Sequence, residues 1–167
     1  MPAHPKAADT PALLGKLVDA GVEFIVVGGV AGIFQGAPIT TSDLDIVHRR
    51  TPENVARLMG VMHELDAIMR YDFARRHLPP TAEMLMGLGQ LNLSTSLGPI
   101  DPLGQIDDGK GYEELLEHSF VVVDEGLAIR ILDLPTLIEV KTRAGRPKDR
   151  LVLPLLVSTL KKRNQRT

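Results

Sequence analysis

Hydrophobic positions recur along the chain with two different spacings, which predicts a mixture of helices and strands. Apolar residues three or four positions apart are typical of amphipathic helices, whereas alternating or continuous apolar runs are typical of strands. The helix-like segments are residues 10–21, 51–67, 134–145 and 147–163, with shorter helices at 29–36 and 111–118. The strand-like segments are residues 22–29, 42–48, 90–97, 100–104 and 119–132, the last as two strands about a turn near 125–126.

Local signals mark where several of these elements begin and end. Thr51 and Pro52 are suited to the cap and the first position of a helix, and Gly145 is suited to a helix end. Pro154 interrupts the last helical pattern, so we expect a kink or break there. A turn is predicted at Gly98-Pro99. Residues 70–90 are ambiguous, and "HLPPTAEM" at 77–84 is predicted to be a loop.

The sum of these elements predicts an α/β (α+β) fold with a small mixed β-sheet and flanking helices, since helices and strands mix without strict alternation. A length of 167 residues indicates a single domain, 1–167, which can bury about two-thirds of its surface. Neither repeats nor low-complexity linkers interrupt the sequence.

Composition narrows the chemistry. The chain has no cysteine, so any metal ion must be held by carboxylates, histidines or backbone oxygens, which favours hard ions such as Mg²⁺. The longest apolar stretch, residues 24–34, is too short to span a bilayer. The N-terminal residues lack the pattern of a signal peptide, and we therefore expect a cytoplasmic protein.

Charge is distributed unevenly behind a net value of −2. Residues 141–167 carry nine Lys or Arg and one acid, a net +8, whereas the first 140 residues carry ten basic and twenty acidic residues, a net −10. A basic C-terminal arm suits a polyanionic ligand, and it equally suits packing against the acidic body of the same chain.

Two acids separated by one leucine form the first candidate site. Asp43 and Asp45 fall in a predicted strand, where side chains two apart share a face and their Cα atoms lie roughly 6.5 Å apart. Leu44 and Ile46 would then point into the core. Carboxylates held so closely repel each other, and a divalent cation would remove that repulsion. The same pattern also occurs on hydrated strand faces.

A glycine pair forms the second candidate. Gly28 and Gly29 follow an apolar strand and precede a predicted helix, where backbone N–H groups can hold an anion and a ligand can approach closely. The pair could equally be a tight turn. "GGVAGIFQG" lacks the spacing of the dinucleotide-binding fingerprint.

Taken together, Gly-Gly, a helix and Asp-hydrophobic-Asp-hydrophobic resemble the core motif of the nucleotidyltransferase superfamily with the DNA polymerase β-like fold. Thirteen residues separate Gly29 from Asp43, and "TTSDLDI" is similar to small bacterial members, including minimal nucleotidyltransferases and toxins of toxin–antitoxin pairs. The resemblance covers about residues 12–160, with the core motif at about 22–103 and the C-terminal helices at about 134–163.

The resemblance implies a set of site residues. A third carboxylate from a later strand would be Asp101, although this residue could also be a turn aspartate between two prolines. The implied catalytic and metal-binding residues, for Mg²⁺ or Mn²⁺, are Asp43, Asp45 and Asp101. The implied nucleotide-binding residues are Gly28, Gly29, Ser42, Lys141, Arg146 and Lys148, with Asp149 in a structural role. Ser42 could instead cap the turn before the strand, and the three basic residues could be solvated charges.

One position departs from the related toxins. They often have Arg four residues before the first Asp of the pair, and here that position is Ile39.

The function implied is a Mg²⁺-dependent nucleotidyltransferase that moves a nucleoside monophosphate from an NTP, such as ATP, to an acceptor hydroxyl on a small molecule, an RNA end or a protein. A catalytically weak nucleotide-binding component of a toxin–antitoxin pair is the alternative, and a purely structural α/β domain is the third hypothesis. With only 4% aromatic residues, platforms for base stacking are not expected, so an RNA acceptor would be held by its phosphates. The short chain suits completion of the pocket by a homodimer or by a cognate protein partner.

Overall fold

A seven-stranded mixed sheet organises the chain, with strand order β3-β4-β5-β2-β1-β7-β6. The computed structural model describes residues 3–107 and 109–166. The strands are β1 (Phe24–Val27), β2 (Leu44–His48), β3 (Ile68–Met69), β4 (Leu93–Thr95), β5 (Gly98–Leu103), β6 (Ser119–Asp124) and β7 (Leu127–Leu132). The sheet pairs β2 with β5 and β1 with β7 in parallel, and all its other neighbours are antiparallel.

Seven helices flank the sheet in the described residues. They are α1 (Thr10–Asp19), α2 (Gly28–Phe34), α3 (Pro52–Glu64), α4 (Ala82–Met86), α5 (Tyr112–Leu115), α6 (Leu134–Ala144) and α7 (Pro147–Gln165), and a 3₁₀ turn (Leu116–His118) follows α5. The predicted α/β architecture with a mixed sheet is therefore confirmed. Among these helices, none is both long and apolar enough to cross a membrane.

The central strands form the core. Every residue of β1 is buried, as its continuous apolar run predicts, because β1 lies between β2 and β7 and is covered on both faces. In β2, Leu44 and Ile46 are completely buried, which confirms the inward direction predicted for them. Leucines of α1 and α3 pack into the same core, among them Leu13, Leu17 and Leu58.

The predicted helix boundaries agree closely with the structure where a capping signal was present. The side chain of Thr51 accepts a hydrogen bond from the backbone of Asn54 at the start of α3, and Pro52 opens that helix. Gly145 ends α6 in the left-handed conformation, with φ of 59°. The sequence signals and the fold agree here because caps are local interactions.

Two local predictions were wrong, and one alternative of a third is excluded. The β4–β5 turn lies at Ser96 and Leu97, not at 98–99, since Gly98 already pairs with Thr95 in the ladder. Part of the predicted loop 77–84 is helical: α4 begins at Ala82, where Thr81 caps it and Leu85 becomes buried. Of the kink or break expected at Pro154, the break is absent: α7 continues through this proline, which is exposed to solvent.

Candidate active site

Three aspartates meet at one edge of the central sheet. Asp45 of β2 lies directly opposite Asp101 of β5, and Asp43 precedes β2 by one residue. Neighbouring strands are about 4.8 Å apart and side chains two apart share a face, so this register brings the three carboxylates together. Carboxylate oxygens of Asp43, Asp45 and Asp101 all lie within 4.8 Å of one another. We call these three residues the carboxylate cluster.

Burial makes the carboxylate cluster electrostatically unfavourable without a cation. Asp101 is only 3% exposed, and Oδ1 of Asp45 is buried without a hydrogen-bond partner. Burial, and then the charge of Asp101, raise the pKa of Asp45 to about 7, while Lys148 acts in the opposite direction. Burial also raises the pKa of Asp101, against the opposing charge of Arg70. A proton or a cation is therefore needed among these oxygens.

Arg70 supplies part of that positive charge. Its Nη2 lies 2.9 Å from Oδ1 of Asp101 and 3.6 Å from Oδ2 of Asp43. Arg70 follows β3, in the segment whose pattern is ambiguous in sequence. Sequence reasoning missed this residue, and no motif or spacing in the sequence indicates it, because the contact joins positions 31 residues apart.

The glycine pair lies directly against the cluster. Gly28 has φ of +65°, and a Cβ atom built on it would stand 2.4 Å from Oδ2 of Asp45. A Cβ on Gly29 would stand 2.9 Å from Cβ of Thr41. Only glycine fits at Gly28, since any side chain there would enter the space of the Asp45 carboxylate.

A cleft of about 220 Å³ opens beside the carboxylates. One wall carries the three aspartates, the two glycines, Thr40 and Thr41, and the facing wall comes from α6 and α7. The basic residues predicted from sequence, Lys141, Arg146 and Lys148, all line this cleft. Lining residues not singled out from sequence are Val27, Thr40, Thr41, Gln90, Leu103, Ile106, Leu132, Leu137, Val140, Ala144 and Val152.

Two of the three basic residues are held by Asp149, which is completely buried. Nε of Arg146 lies 2.8 Å from Asp149 Oδ2, and Nζ of Lys141 lies 3.4 Å from Oδ1. Burial alone would raise the pKa of Asp149, but Arg146 and Lys141 keep it below its usual range. Asp149 also accepts from the backbone N–H of Arg146 and so caps α7. Lys148 is exposed and has no ion pair with any described residue.

Ser42 and Ile39 lie beside the cluster in different settings. The Ser42 hydroxyl donates to Oδ1 of Asp43 over 2.9 Å and is absent from the lining of the cleft. Ile39 lines the cleft and packs toward Gly32 of α2, where its Cδ1 would be 3.3 Å from an added Cβ. The structure therefore places an apolar contact at the position where the toxins that the motif resembles often carry arginine.

Known structures share this arrangement of helices and strands. No protein-family model and no curated protein sequence matches the chain. The structure resembles TM1012 from Thermotoga maritima, classed as a nucleotidyltransferase, with a TM-score of 0.56 and 17% identity over 95% of this chain and 91% of that one. It resembles the lincosamide antibiotic adenylyltransferase LnuA, solved with lincomycin, with a TM-score of 0.63 and 10% identity over 93% and 99%. It also resembles the antibiotic-resistance factor ANT(2'')-Ia, with a TM-score of 0.59 and 12% identity over 90% and 82%.

The fold is therefore of the nucleotidyltransferase type, which confirms the resemblance drawn from the glycine and aspartate motifs.

Proposed function

We propose that this chain is a divalent-metal-dependent nucleotidyltransferase that transfers a nucleoside monophosphate from an NTP to an acceptor hydroxyl. The observation that carries the proposal is the carboxylate cluster, in which an oxygen of Asp45 is buried without a partner beside a cleft with a basic wall. The nucleotidyltransferase-like fold supports the same reading.

The carboxylate cluster fits a hard divalent ion. Its donors are all carboxylate oxygens, the ligands that Mg²⁺ and Mn²⁺ prefer, and the unpartnered Oδ1 of Asp45 is free to act as a ligand. Asp43 and Asp45 would hold the ion, and Asp101 would complete the set. When bound, the ion would neutralise charge on the phosphates and orient the attack.

The other residues of the cleft would bind and align the nucleotide. Gly28 and Gly29 line the cleft, where their backbone would lie against the phosphates, and their lack of side chains leaves the space that Asp45 and Thr41 occupy. Lys141, Arg146 and Lys148 face them across the cleft and would attract a triphosphate. Ser42 would act through Asp43, whose carboxylate it orients by donating a hydrogen bond.

In the reaction itself the oxygen of the acceptor hydroxyl would attack the α-phosphorus. A bond forms between that oxygen and phosphorus, the bond from the α-phosphorus to the bridging oxygen breaks, and pyrophosphate leaves. Asp101 is the candidate to accept the hydroxyl proton, because burial raises its pKa and makes it a better base than an ordinary carboxylate.

The test is Asp43→Asn, with Asp124→Asn as the matched control at the exposed end of β6. We expect Asp43→Asn to lose at least about a hundred-fold in pyrophosphate release, with little change in stability, because one charge of the metal site is removed. The assay uses the four NTPs with Mg²⁺ or Mn²⁺, and mass spectrometry identifies an added nucleotide on small-molecule, RNA and protein acceptors. Unchanged activity in Asp43→Asn would refute the proposed site.

A further inference from the structure

Arg70 is a permanent cation inside the carboxylate cluster. Its Nη2 donates to Oδ2 of Asp101 over 3.2 Å, in addition to the ion pairs at 2.9 Å with Oδ1 of Asp101 and 3.6 Å with Asp43. A guanidinium does not lose its proton in a protein, so this charge persists at every working pH.

Arg70 is fixed in this position from several sides. Its Nη1 donates to the backbone oxygen of Leu93 over 2.8 Å, and its own backbone N–H donates to the oxygen of Asn92 over 2.8 Å. The guanidinium carbon lies 5.0 Å from the centre of the Tyr71 ring, and the side chain is only 17% exposed. The β3–β4 edge of the sheet therefore holds the Arg70 guanidinium in place.

The positive charge is placed asymmetrically. Arg70 forms ion pairs with Asp43 and Asp101 and a hydrogen bond to Oδ2 of Asp101. Oδ1 of Asp101 has the ion pair alone, and Oδ1 of Asp45 has neither an ion pair nor a hydrogen bond. The cluster thus has one side filled by a guanidinium and another side, at Asp45 and Gly28, that is open to the cleft. A divalent ion that enters the open side must still bind within a few ångströms of a like charge, which weakens its binding.

We propose that Arg70 is a built-in counter-ion that lowers the affinity of the carboxylate cluster for divalent ions and keeps the cluster folded when no ion is bound. This inference rests on the proposed function, because it takes the cluster to be the metal site. In this proposal Arg70 positions the carboxylate of Asp101 and opposes binding of the divalent ion. A nucleotide that arrives with its own divalent ion would add the negative charge needed to offset Arg70.

The experiment measures Mn²⁺ binding to the full chain by electron paramagnetic resonance, and thermal unfolding in EDTA. Arg70→Met keeps a long side chain and removes the charge, whereas Arg70→Lys keeps the charge. Arg49→Met is the matched control, since Arg49 also pairs with two carboxylates, Glu23 and Glu113, but follows the opposite end of β2.

We expect Arg70→Met to bind Mn²⁺ at least ten-fold more tightly than the unmodified chain, to unfold at a lower temperature in EDTA and to regain stability with Mn²⁺. Arg70→Lys should bind Mn²⁺ within about three-fold of the unmodified chain, and Arg49→Met should bind it equally well. Equal or weaker binding in Arg70→Met, or ten-fold tighter binding in Arg70→Lys, would overturn the proposal.

Two further variants separate this inference from the proposed function. If Asp43→Asn and Asp45→Asn leave Mn²⁺ binding unchanged, the cluster is not a metal site and both proposals fail. If those variants weaken binding while Arg70→Met leaves it unchanged, only the counter-ion role of Arg70 is refuted.

Discussion

Burial, a neighbouring charge and close packing all act on the carboxylate of Asp45. Its carboxylate lies opposite Asp101 in the β2–β5 ladder and against Gly28, and one of its oxygens has no partner. Burial and the neighbouring Asp101 raise its pKa from 3.8 to about 7. In the absence of metal ions and between about pH 4 and 7, Asp45 therefore keeps a proton in the folded chain that it loses in the unfolded chain.

A pH dependence of stability follows from this difference. Between about pH 4 and 7 the folded state binds more protons than the unfolded state, so the free energy of unfolding falls as pH rises, by at most about 1.4 kcal/mol per pH unit for one group. We expect urea unfolding in EDTA to show greater stability at pH 5 than at pH 8. Asp45→Asn should flatten this slope, and parallel curves for the two proteins would contradict the expectation.

Gly28 offers a second test at the residue scale, with Gly36 as a matched control. Both have positive φ, +65° and +93°, but an added Cβ meets the Asp45 carboxylate at Gly28 and nothing within 4 Å at Gly36. We expect Gly36→Ala to lose about 1–2 kcal/mol of stability in urea unfolding because of its positive φ, and Gly28→Ala to lose more, because its Cβ also meets the Asp45 carboxylate. Only Gly28→Ala should also lose Mn²⁺ affinity, at least ten-fold by electron paramagnetic resonance. Equal affinity in the two variants would mean that Gly28 does not shape the metal site.

Among the secondary-structure elements, the α6–α7 junction forms the basic wall of the cleft. Buried Asp149 caps α7 and pairs with both Lys141 and Arg146. Because the pKa of Asp149 is lowered, its ion pairs stabilise the fold above the usual aspartate pKa. That stabilisation is lost as pH falls through the lowered pKa. The buried carboxylate of Asp149 therefore links α6 to α7 and holds Lys141 and Arg146, the two candidate phosphate ligands.

Asp149→Asn tests this coupling. Asparagine can still cap α7 but cannot pair with the two cations, so we expect a loss of about 2 kcal/mol in urea unfolding and a several-fold weaker affinity for NTP. The control is Asp133→Asn, since Asp133 caps α6 through the backbone of Thr136 and forms no ion pair among the described residues. Equal losses in the two variants would show that the ion pairs contribute nothing beyond the cap.

The elements predicted correctly are those whose signals are local. The continuous apolar run of β1, the alternation in β2 and the Thr51-Pro52 start of α3 all appear where they were expected. The turn at Gly98 was misplaced because the glycine there serves a distant contact: a Cβ would stand 2.4 Å from the backbone oxygen of Ala7. Pro154 is tolerated inside α7, where packing of the helix outweighs its low helix propensity.

At the scale of the whole molecule, the N-terminal segment connects the two strands that carry the aspartates. The backbone of Ala8 donates to the oxygen of Ser42, just before β2, and that of Asp9 donates to the oxygen of Leu97, just before β5. His4 adds contacts to Ser94 of β4 and to Asp66. The segment is therefore positioned to hold both sides of the carboxylate cluster in register.

Removal of residues 1–8 should weaken metal binding by the carboxylate cluster, although these residues lie outside the cluster. We expect a loss of about 1–2 kcal/mol in urea unfolding, since the backbone hydrogen bond from Ala8 to Ser42 and the contacts of His4 are lost, together with weaker Mn²⁺ binding. Removal of residues 1–3 alone, which leaves His4 and Ala8 in place, is the control and should change neither quantity. Unaltered Mn²⁺ binding in the longer deletion would show that the strands hold their register without this segment.

Part of the positive charge of the basic C-terminal arm is neutralised by acids of the same chain. Lys141 and Arg146 pair with Asp149, and Arg143 pairs with Asp107 of the body, so packing by charge complementarity accounts for a share of the basic arm. Lys161, Lys162 and Arg166 remain exposed near the end of α7. A polyanionic ligand stays a prediction for that surface.

The sequence by itself determined the local features of this protein: the periods of its helices and strands, their caps, and two acids on one face of a strand after a glycine pair. These follow from side-chain direction and backbone conformation over a few residues. Only the tertiary structure decided that β5 lies parallel to β2 with Asp101 opposite Asp45, and that Arg70 enters the same cluster. Strand order and such distant pairings depend on how the whole core packs, and no short stretch of sequence contains that information.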